Sequence, residues 1–331
     1  MSNTKTSHNI KQQVKIYKFT KIKNNNINIQ KNVLRDITNL STIVDLLRWT
    51  VSQFNNSTIV YGHGTDNAWD EALNLILPTL NLPINVPPEI YQSHLTQKEK
   101  IRLVKKIIQR IKTRIPVPYL TNQSWFCKLK FYIDRRVFIP RSPIGEIINN
   151  NFCNLLPHQP SHVLDLCTGS GCIAIAIATV YPKIKVDAVD ISKKALQIAE
   201  INIQIHNMQK RVIPIYSNLF NDIPKIKYDL IITNPPYVKR NEINYLPKEF
   251  RIEPLLSLTG GCDGLQIIRR ILTDSSKYLN KNGVLICEVG KNKEQLKKLY
   301  PHIPFYWIPL KNGGEGVFLL TKKQLNNHNI E

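Results

Sequence analysis

The sequence predicts an α/β protein built on a doubly wound parallel sheet, preceded by a small helical domain and a β-hairpin linker. Three observations carry this. From Val163 onward, short apolar runs alternate with helical patterns, and such alternation builds a parallel sheet covered on both faces. Between residues 36 and 115 the apolar residues recur at helical spacing instead. From 116 to 140, Pro116 and Pro118 break that period and aromatic and β-branched residues follow. The chain has 331 residues, 42% of them hydrophobic, which is long enough for two domains and apolar enough to bury a core. A disordered protein and a small disulfide scaffold are both excluded.

In chain order, residues 1–35 come first. They carry Lys5, Lys11, Lys15, Lys18, Lys21, Lys23, Lys31 and Arg35, no acidic residue, and an Asn-rich stretch at Asn24–Asn28. Such a segment cannot bury enough apolar surface to offset its ordering entropy, so it reads as a solvated basic tail. A nucleic-acid arm or a targeting peptide is the alternative, the latter weakened by the excess of Lys over Arg. In the helical region 36–115, Ile43, Leu46 and Leu47 mark one helix and Leu103, Ile107, Ile108 and Ile111 another, which opens on a capping-box pattern at Thr96–Glu99. Between them, Tyr61-Gly62-His63-Gly64-Thr65-Asp66-Asn67-Ala68-Trp69-Asp70-Glu71 is a glycine-punctuated turn entering a helix expected to end before Pro78. A lone loop histidine such as His63 more often makes a local hydrogen bond than does chemistry.

Within the linker 116–140, Trp125 to Phe138 reads as a hairpin. After Pro140-Arg141-Ser142-Pro143 and one connecting helix, the runs Val163–Cys167, Val186–Asp190, Val212–Tyr216, Asp229–Thr233 and Val284–Val289 are the expected strands of a domain covering 141–331. The six cysteines, Cys127, Cys153, Cys167, Cys172, Cys262 and Cys287, form no CxxC pair and read as reduced thiols, with no metal site. No apolar run approaches the roughly 18 residues of a membrane helix, so a soluble, cytoplasmic protein is expected. The net charge of +21 requires an acidic partner such as nucleic acid to be weighed.

Three motifs carry chemistry. The first is Val163-Leu164-Asp165-Leu166-Cys167-Thr168-Gly169-Ser170-Gly171-Cys172-Ile173-Ala174, a buried strand running into a Gly-x-Gly turn and a helix. Gly169, Gly171 and Ala174 also satisfy a loose dinucleotide pattern. Asp165, however, stands ahead of the turn, where a carboxylate repels a pyrophosphate and favours a cationic ligand such as the ammonium and sulfonium of S-adenosylmethionine. The second is Asp190, last in the run Val186-Asp187-Ala188-Val189-Asp190, placed either to accept from both ribose hydroxyls or to cap the helix starting near Ser192.

The third motif is Asn234-Pro235-Pro236-Tyr237, directly after an apolar strand. The residue before a proline avoids the helical region, so Asn234 is extended, and prolines have no N–H with which to continue a ladder. That leaves the Asn234 side-chain oxygen, the Pro235 carbonyl and the face of Tyr237 to receive a planar –NH₂ group. An amide nitrogen is a poor nucleophile because its lone pair is delocalised. Holding its two hydrogens aside and aligning it in line with a methyl group addresses that obstacle, and alignment of this kind is worth about 7–11 kcal/mol.

With these motifs in order, the chain resembles the class I, Rossmann-like, S-adenosylmethionine-dependent methyltransferases, and within them the bacterial protein-glutamine methyltransferases, from about Asp36 to Gln324. The Tyr61–Glu71 block, Arg141–Glu146 and Leu246–Gly264 are similar to the branch acting on large-subunit ribosomal protein uL3. The alternative is the branch acting on peptide chain release factors, which typically has Pro-Arg-Pro-Glu-Thr-Glu where this chain has Pro140-Arg141-Ser142-Pro143-Ile144-Gly145-Glu146.

The resemblance implies transfer of one methyl from S-adenosylmethionine to a glutamine side-chain amide, with 36–115 as a substrate-recognition domain. It implies that Asp165, Cys167, Thr168, Gly169, Ser170 and Gly171 hold the methionine moiety, Asp190 the ribose, and Asn218 and Leu219 the adenine end. Asn234, Pro235, Pro236 and Tyr237 are then the substrate-binding residues. Asn234 also borders the cofactor, and Asn234, Pro235 and Tyr237 are the catalytic set. One departure is Asn218, where the family usually has an acidic residue; weaker cofactor binding is expected, a tenfold loss being about 1.4 kcal/mol.

The stretch from Lys239 to Gly264, with Glu242, Glu249, Glu253 and Asp263, has the length of a lid and is expected to present acidic side chains to a basic substrate. The main rival from another class is an adenine-amino methyltransferase acting on nucleic acid, since adenine also offers a planar –NH₂. It would need a base-reading region, and 36–115 carries no zinc or helix-turn-helix signature. A non-enzymatic ribosome-assembly factor would leave the motifs unexplained. The charge is then expected to serve contact with ribosomal RNA, and the oligomeric state is open.

Overall fold

In the computed structural model, which describes residues 39–327, the chain divides into two units. The first takes the residues up to Thr58 and Asn67–Thr113; the second takes Ile59–Asp66 and everything from Arg114. The chain thus leaves the helical unit after Thr58, contributes the Tyr61-Gly62-His63-Gly64 turn to the second unit, and returns at Asn67. The basic tail at 1–35 lies outside the described residues.

The helical unit is built from α1 (Ile43–Asn55), α2 (Ala68–Thr79) and α3 (Gln97–Thr113). Each starts on a side-chain cap. Thr42 and Asp45 form a reciprocal capping box, Asn67 accepts from the Asp70 amide, and the Thr96 amide donates to Glu99 at 2.8 Å while the Glu99 amide donates to Thr96 Oγ1 at 3.3 Å. Helix α2 does not end before Pro78, as the sequence leads one to expect. Pro78 sits in its last turn, where the missing N–H removes a single helical bond, and the completely buried Leu75, Ile76 and Leu77 hold the turn in place. Arg110 of α3 donates to Glu71 of α2 at 2.7 Å, with both side chains buried.

The second unit opens with the short α4 (Val117–Thr121) and the antiparallel pair β1 (Gln123–Phe126) and β2 (Leu129–Tyr132), followed by α5 (Ile144–Asn149). Its sheet contains β3 (His162–Leu166), β4 (Lys185–Asp190), β5 (Val212–Tyr216), β6 (Tyr228–Thr233), β7 (Leu279–Glu288), β8 (Tyr306–Trp307) and β9 (Val317–Thr321). These lie in the order β5-β4-β3-β6-β7-β9-β8. The first five in that order pair in parallel, as the alternating pattern predicts; β9 runs antiparallel to both β7 and β8.

Helices α6 (Cys172–Val180), α7 (Lys193–Ile205), α8 (Gln266–Tyr278), α9 (Lys293–Leu299) and α10 (Lys322–Asn327) complete the unit. Helix α6 is apolar on every face and buried from Cys172 to Ala178, the pattern of a helix enclosed in a core. The chain winds outward from β3 to β5, then returns to β6 on the other side of β3. Strand order reverses there, so the crevice beyond the carboxyl ends of β3 and β6 is where an open α/β sheet binds ligands. All six cysteines are free. Among the described residues, no helix is long and apolar enough to cross a membrane, and no cluster of His, Cys, Asp or Glu is arranged to hold a metal ion.

Candidate active site

Strand β3 delivers Asp165 into the core, completely buried. The chain then turns sharply: Cys167, Gly169 and Gly171 all have left-handed backbones, with φ of 59°, 57° and 78°. At Gly171 this is the entry to α6, where a side chain would press Ala199 at 3.3 Å. Asp165 Oδ2 fixes the turn, accepting from Thr168 Oγ1 at 2.5 Å and from the Ala174 amide at 3.2 Å. Its other oxygen, Oδ1, is buried with no hydrogen-bond partner. Burial pushes the carboxyl up to about 7, against the pull of Thr168 and Ala174. A buried acceptor left unmatched by the protein calls for a donor from a ligand, and an ammonium group suits it.

Strand β4 ends at Asp190. Its Oδ2 accepts from the Gly169 amide at 2.9 Å and its Oδ1 from the Ser192 amide at 2.8 Å, while Ser192 caps α7 by accepting from Ala195. The cap is therefore Ser192. Asp190 instead clamps the Gly-x-Gly turn to the neighbouring strand, and each of its oxygens keeps a lone pair for a further donor. Burial raises its pKa. Past β5, Leu219 is buried with φ of 56°, and Asn218 Oδ1 accepts from Arg270 Nη1 at 2.9 Å. The oxygen that the resemblance assigns to the adenine end thus already accepts from an arginine and keeps one lone pair.

Strand β6 places the third motif. Leu166 pairs with Thr233, and the Thr233 hydroxyl donates to the Leu166 carbonyl at 2.8 Å. Asn234 and Cys167 therefore leave the sheet from the same level. Asn234 is half-buried, and its carboxamide makes no hydrogen bond to any described residue. Pro235 is buried and Pro236 half-buried. Tyr237 is held at three points. Its hydroxyl donates to Glu288 Oε1 at 2.8 Å, its carbonyl accepts from Asn292 Nδ2 at 2.7 Å, and its ring lies so close to Gly290 that a Cβ there would come within 2.7 Å of it.

Glu288, Gly290 and Asn292 are the residues that sequence reasoning missed. The signal for Glu288 was present: it ends the apolar run Leu285-Ile286-Cys287 as Asp190 ends its own. Ser142 supplies its second donor, Oγ to Oε2 at 2.5 Å.

The segment 239–264 is not an acidic face. Glu249 and Glu253 are 2% and 3% exposed. Glu249 accepts from the Val60 amide at 3.0 Å and faces Arg114 at 3.5 Å. Glu253 takes both guanidinium nitrogens of Arg141, at 2.7 and 2.6 Å, and the Ile139 amide at 3.1 Å. Asp263 pairs with Arg269 and Glu242 with Lys239. Nor does His63 make a local hydrogen bond; its Nε2 lies 3.5 Å from Glu253 and its ring 4.4 Å from that of Phe250.

The family model described as Methyltransferase small domain matches residues 150–249, and with this sheet order and site it defines a class I methyltransferase. The ribosomal protein uL3 glutamine methyltransferase of Francisella tularensis subsp. tularensis (strain SCHU S4 / Schu 4) is 42% identical over 291 residues, 87% of this chain and 93% of that protein. The protein of the same name from Neisseria gonorrhoeae (strain ATCC 700825 / FA 1090) is 43% identical over 288 residues, 86% of this chain and 96% of that one. The chain belongs to the family of ribosomal protein uL3 glutamine methyltransferases. Among solved structures, a methyltransferase from Pyrococcus furiosus is similar with a TM-score of 0.44 at 16% identity, covering 69% of this chain and 99% of that one.

Proposed function

We propose that this protein methylates the side-chain amide of a glutamine in large-subunit ribosomal protein uL3, with S-adenosylmethionine as donor and in the cytoplasm. The observation that carries this reading is the bond from Thr233 to Leu166, which holds the free Asn234 carboxamide at the level of the Gly-x-Gly turn and its unpartnered Asp165 oxygen. When bound, the donor supplies an electrophilic methyl on a positively charged sulfur. Asp165 Oδ1, unpartnered in the protein, would receive the ammonium of its methionine end, the 167–171 turn would enclose that end, and Asp190 would accept from the ribose.

Asn234 Oδ1 and the Pro235 carbonyl accept the two hydrogens of the substrate amide, and Tyr237 and Pro236 wall its plane. These residues would thereby turn the nitrogen toward the bound donor's methyl, the in-line alignment that a transfer of this kind needs. The surplus proton leaves after transfer, so no strong base is required, and no side chain of the motif is one. We assign contact with ribosomal RNA to α3, whose exposed Lys98, Arg102 and Lys105 recur along one face.

The test is incubation with labelled S-adenosylmethionine and, separately, uL3, release factors and nucleic acid, followed by peptide mass analysis. The expected result is one methyl on one uL3 glutamine, abolished by Asn234→Ala with cofactor binding retained. Label in a release factor or in nucleic acid instead would overturn the reading.

A further inference from the structure

We infer that Glu288 is a positioning residue for this reaction: its carboxylate, shared between the hydroxyls of Tyr237 and Ser142, fixes the ring that walls the substrate amide. The inference rests on reading Asn234–Tyr237 as the amide site. Glu288 is 4% exposed at the end of β7, and each of its oxygens has one hydroxyl donor, Tyr237 at 2.8 Å and Ser142 at 2.5 Å. Ser142 is itself oriented, its Oγ accepting from the Ile144 amide at 3.1 Å at the start of α5. Among the described residues no Lys or Arg pairs with Glu288.

A buried carboxylate with no cation in contact is costly even with the charge of Arg141 nearby, and an apolar side chain in its place would carry no such cost. What the carboxylate adds is direction. Two charge-assisted bonds of this kind define where the Tyr237 hydroxyl must lie, with Gly290 against the ring and Asn292 on the backbone. Ser142 belongs to the segment whose preceding residue, Arg141, is forked onto Glu253. Glu288 therefore joins the amide site to the 140–143 segment, and it acts on substrate only through Tyr237.

The experiment compares Glu288→Ala, Glu288→Gln, Tyr237→Phe and the Glu288→Ala/Tyr237→Phe double variant of the full chain. kcat and KM with uL3 are read alongside the S-adenosylmethionine dissociation constant from calorimetry and the order of the Tyr237 ring from NMR of tyrosine-labelled protein. Glu288→Ala is expected to lower kcat, by as much as about a hundredfold, since small misplacements at a reacting centre have effects of that size. It should broaden the Tyr237 ring signals and leave the cofactor constant within about twofold. Glu288→Gln, whose amide can accept from Tyr237 and donate to Ser142, should recover most of kcat. In the Tyr237→Phe background the Glu288→Ala change should add little.

Losses that multiply in the double variant overturn the proposal, as does a Gln variant as poor as the Ala variant, which would make charge rather than direction the cause. If Glu288→Ala fails to fold, a Tyr237→Phe enzyme at wild-type kcat overturns it. Ring order is read without substrate. A wild-type chain that methylates no glutamine therefore refutes the proposed function, while a ring that stays ordered in Glu288→Ala refutes the positioning role.

Discussion

The Thr233 hydroxyl donates to the carbonyl of Leu166 at 2.8 Å, at the last paired position of the two central strands. That bond is buried and joins the two motifs on which the chemistry depends. Thr233→Val keeps the shape and removes the donor. The expected cost is about 0.5–1.5 kcal/mol of stability, the usual net worth of one hydrogen bond. Because the bond also sets the level of Asn234 against the 167–171 turn, kcat should fall more than S-adenosylmethionine affinity. Chemical denaturation and steady-state kinetics check the two halves of this prediction separately.

Asp165 gives the pH dependence. Burial raises its carboxyl to about 7, so the free protein holds a proton there that the unfolded chain releases near the ordinary carboxylate value. The stability tied to that proton is complete below about pH 4, where both states hold it, and is lost progressively as pH rises from there through about 7, where the buried carboxyl must ionise. Ligand binding runs the other way. A ligand ammonium stays protonated below about pH 7 and needs the ionised carboxylate, so affinity for S-adenosylmethionine should climb roughly tenfold between about pH 5.5 and 7. Calorimetry across that range checks it. An Asp165→Asn protein should bind weakly with a flat profile, and a slope that survives the substitution would assign the titration to another group.

Asp165, Asp190 and Asn234 stand out in the sequence for different local reasons: Asp165 interrupts an apolar run ahead of the Gly-x-Gly turn, Asp190 closes the next run, and Asn234 follows an apolar strand and precedes two prolines. Glu288 carries the same local mark as Asp190. What gives it meaning, however, is Tyr237, 51 residues away, and Ser142, 146 residues away, and no local period reports a contact at such separation. The acids of 239–264 misled for the same reason. Glu253 looks like a surface charge until Arg141, 112 residues earlier, is folded onto it. Strand β8 has only two residues, too few to show an alternation, and it pairs antiparallel at the sheet edge, where the βαβ rhythm has already ended.

Asn218 has a single side-chain acceptor oxygen, which already accepts from Arg270 at 2.9 Å and keeps one lone pair. An aspartate there would supply a second oxygen, so that one could keep Arg270 while the other accepts from an adenine amino group. Asn218→Asp should therefore tighten S-adenosylmethionine binding, by up to about tenfold or 1.4 kcal/mol. The gain should disappear with a ligand lacking the amino group. An unchanged dissociation constant would mean that Arg270 takes the whole carboxylate and that the adenine end lies elsewhere.

Glu253 separates an architectural role for the 239–264 segment from an electrostatic one. Its carboxylate holds Arg141 in a two-pronged pair and the Ile139 amide, with His63 at 3.5 Å; these partners keep its pKa below the usual value despite burial. The stability it contributes is present above the ordinary carboxylate range and is lost as pH falls through its lowered pKa. Glu253→Lys would bury a second cation beside Arg141 and leave the Ile139 amide without its acceptor, with an expected loss of about 3–5 kcal/mol. Glu242→Lys changes the same net charge at a side chain 56% exposed and should shift stability by less than about 0.5 kcal/mol. Thermal unfolding distinguishes the two, and KM for uL3 in the Glu242→Lys protein should stay near wild type. A large rise in that KM with stability unchanged would restore the segment as an acidic docking face.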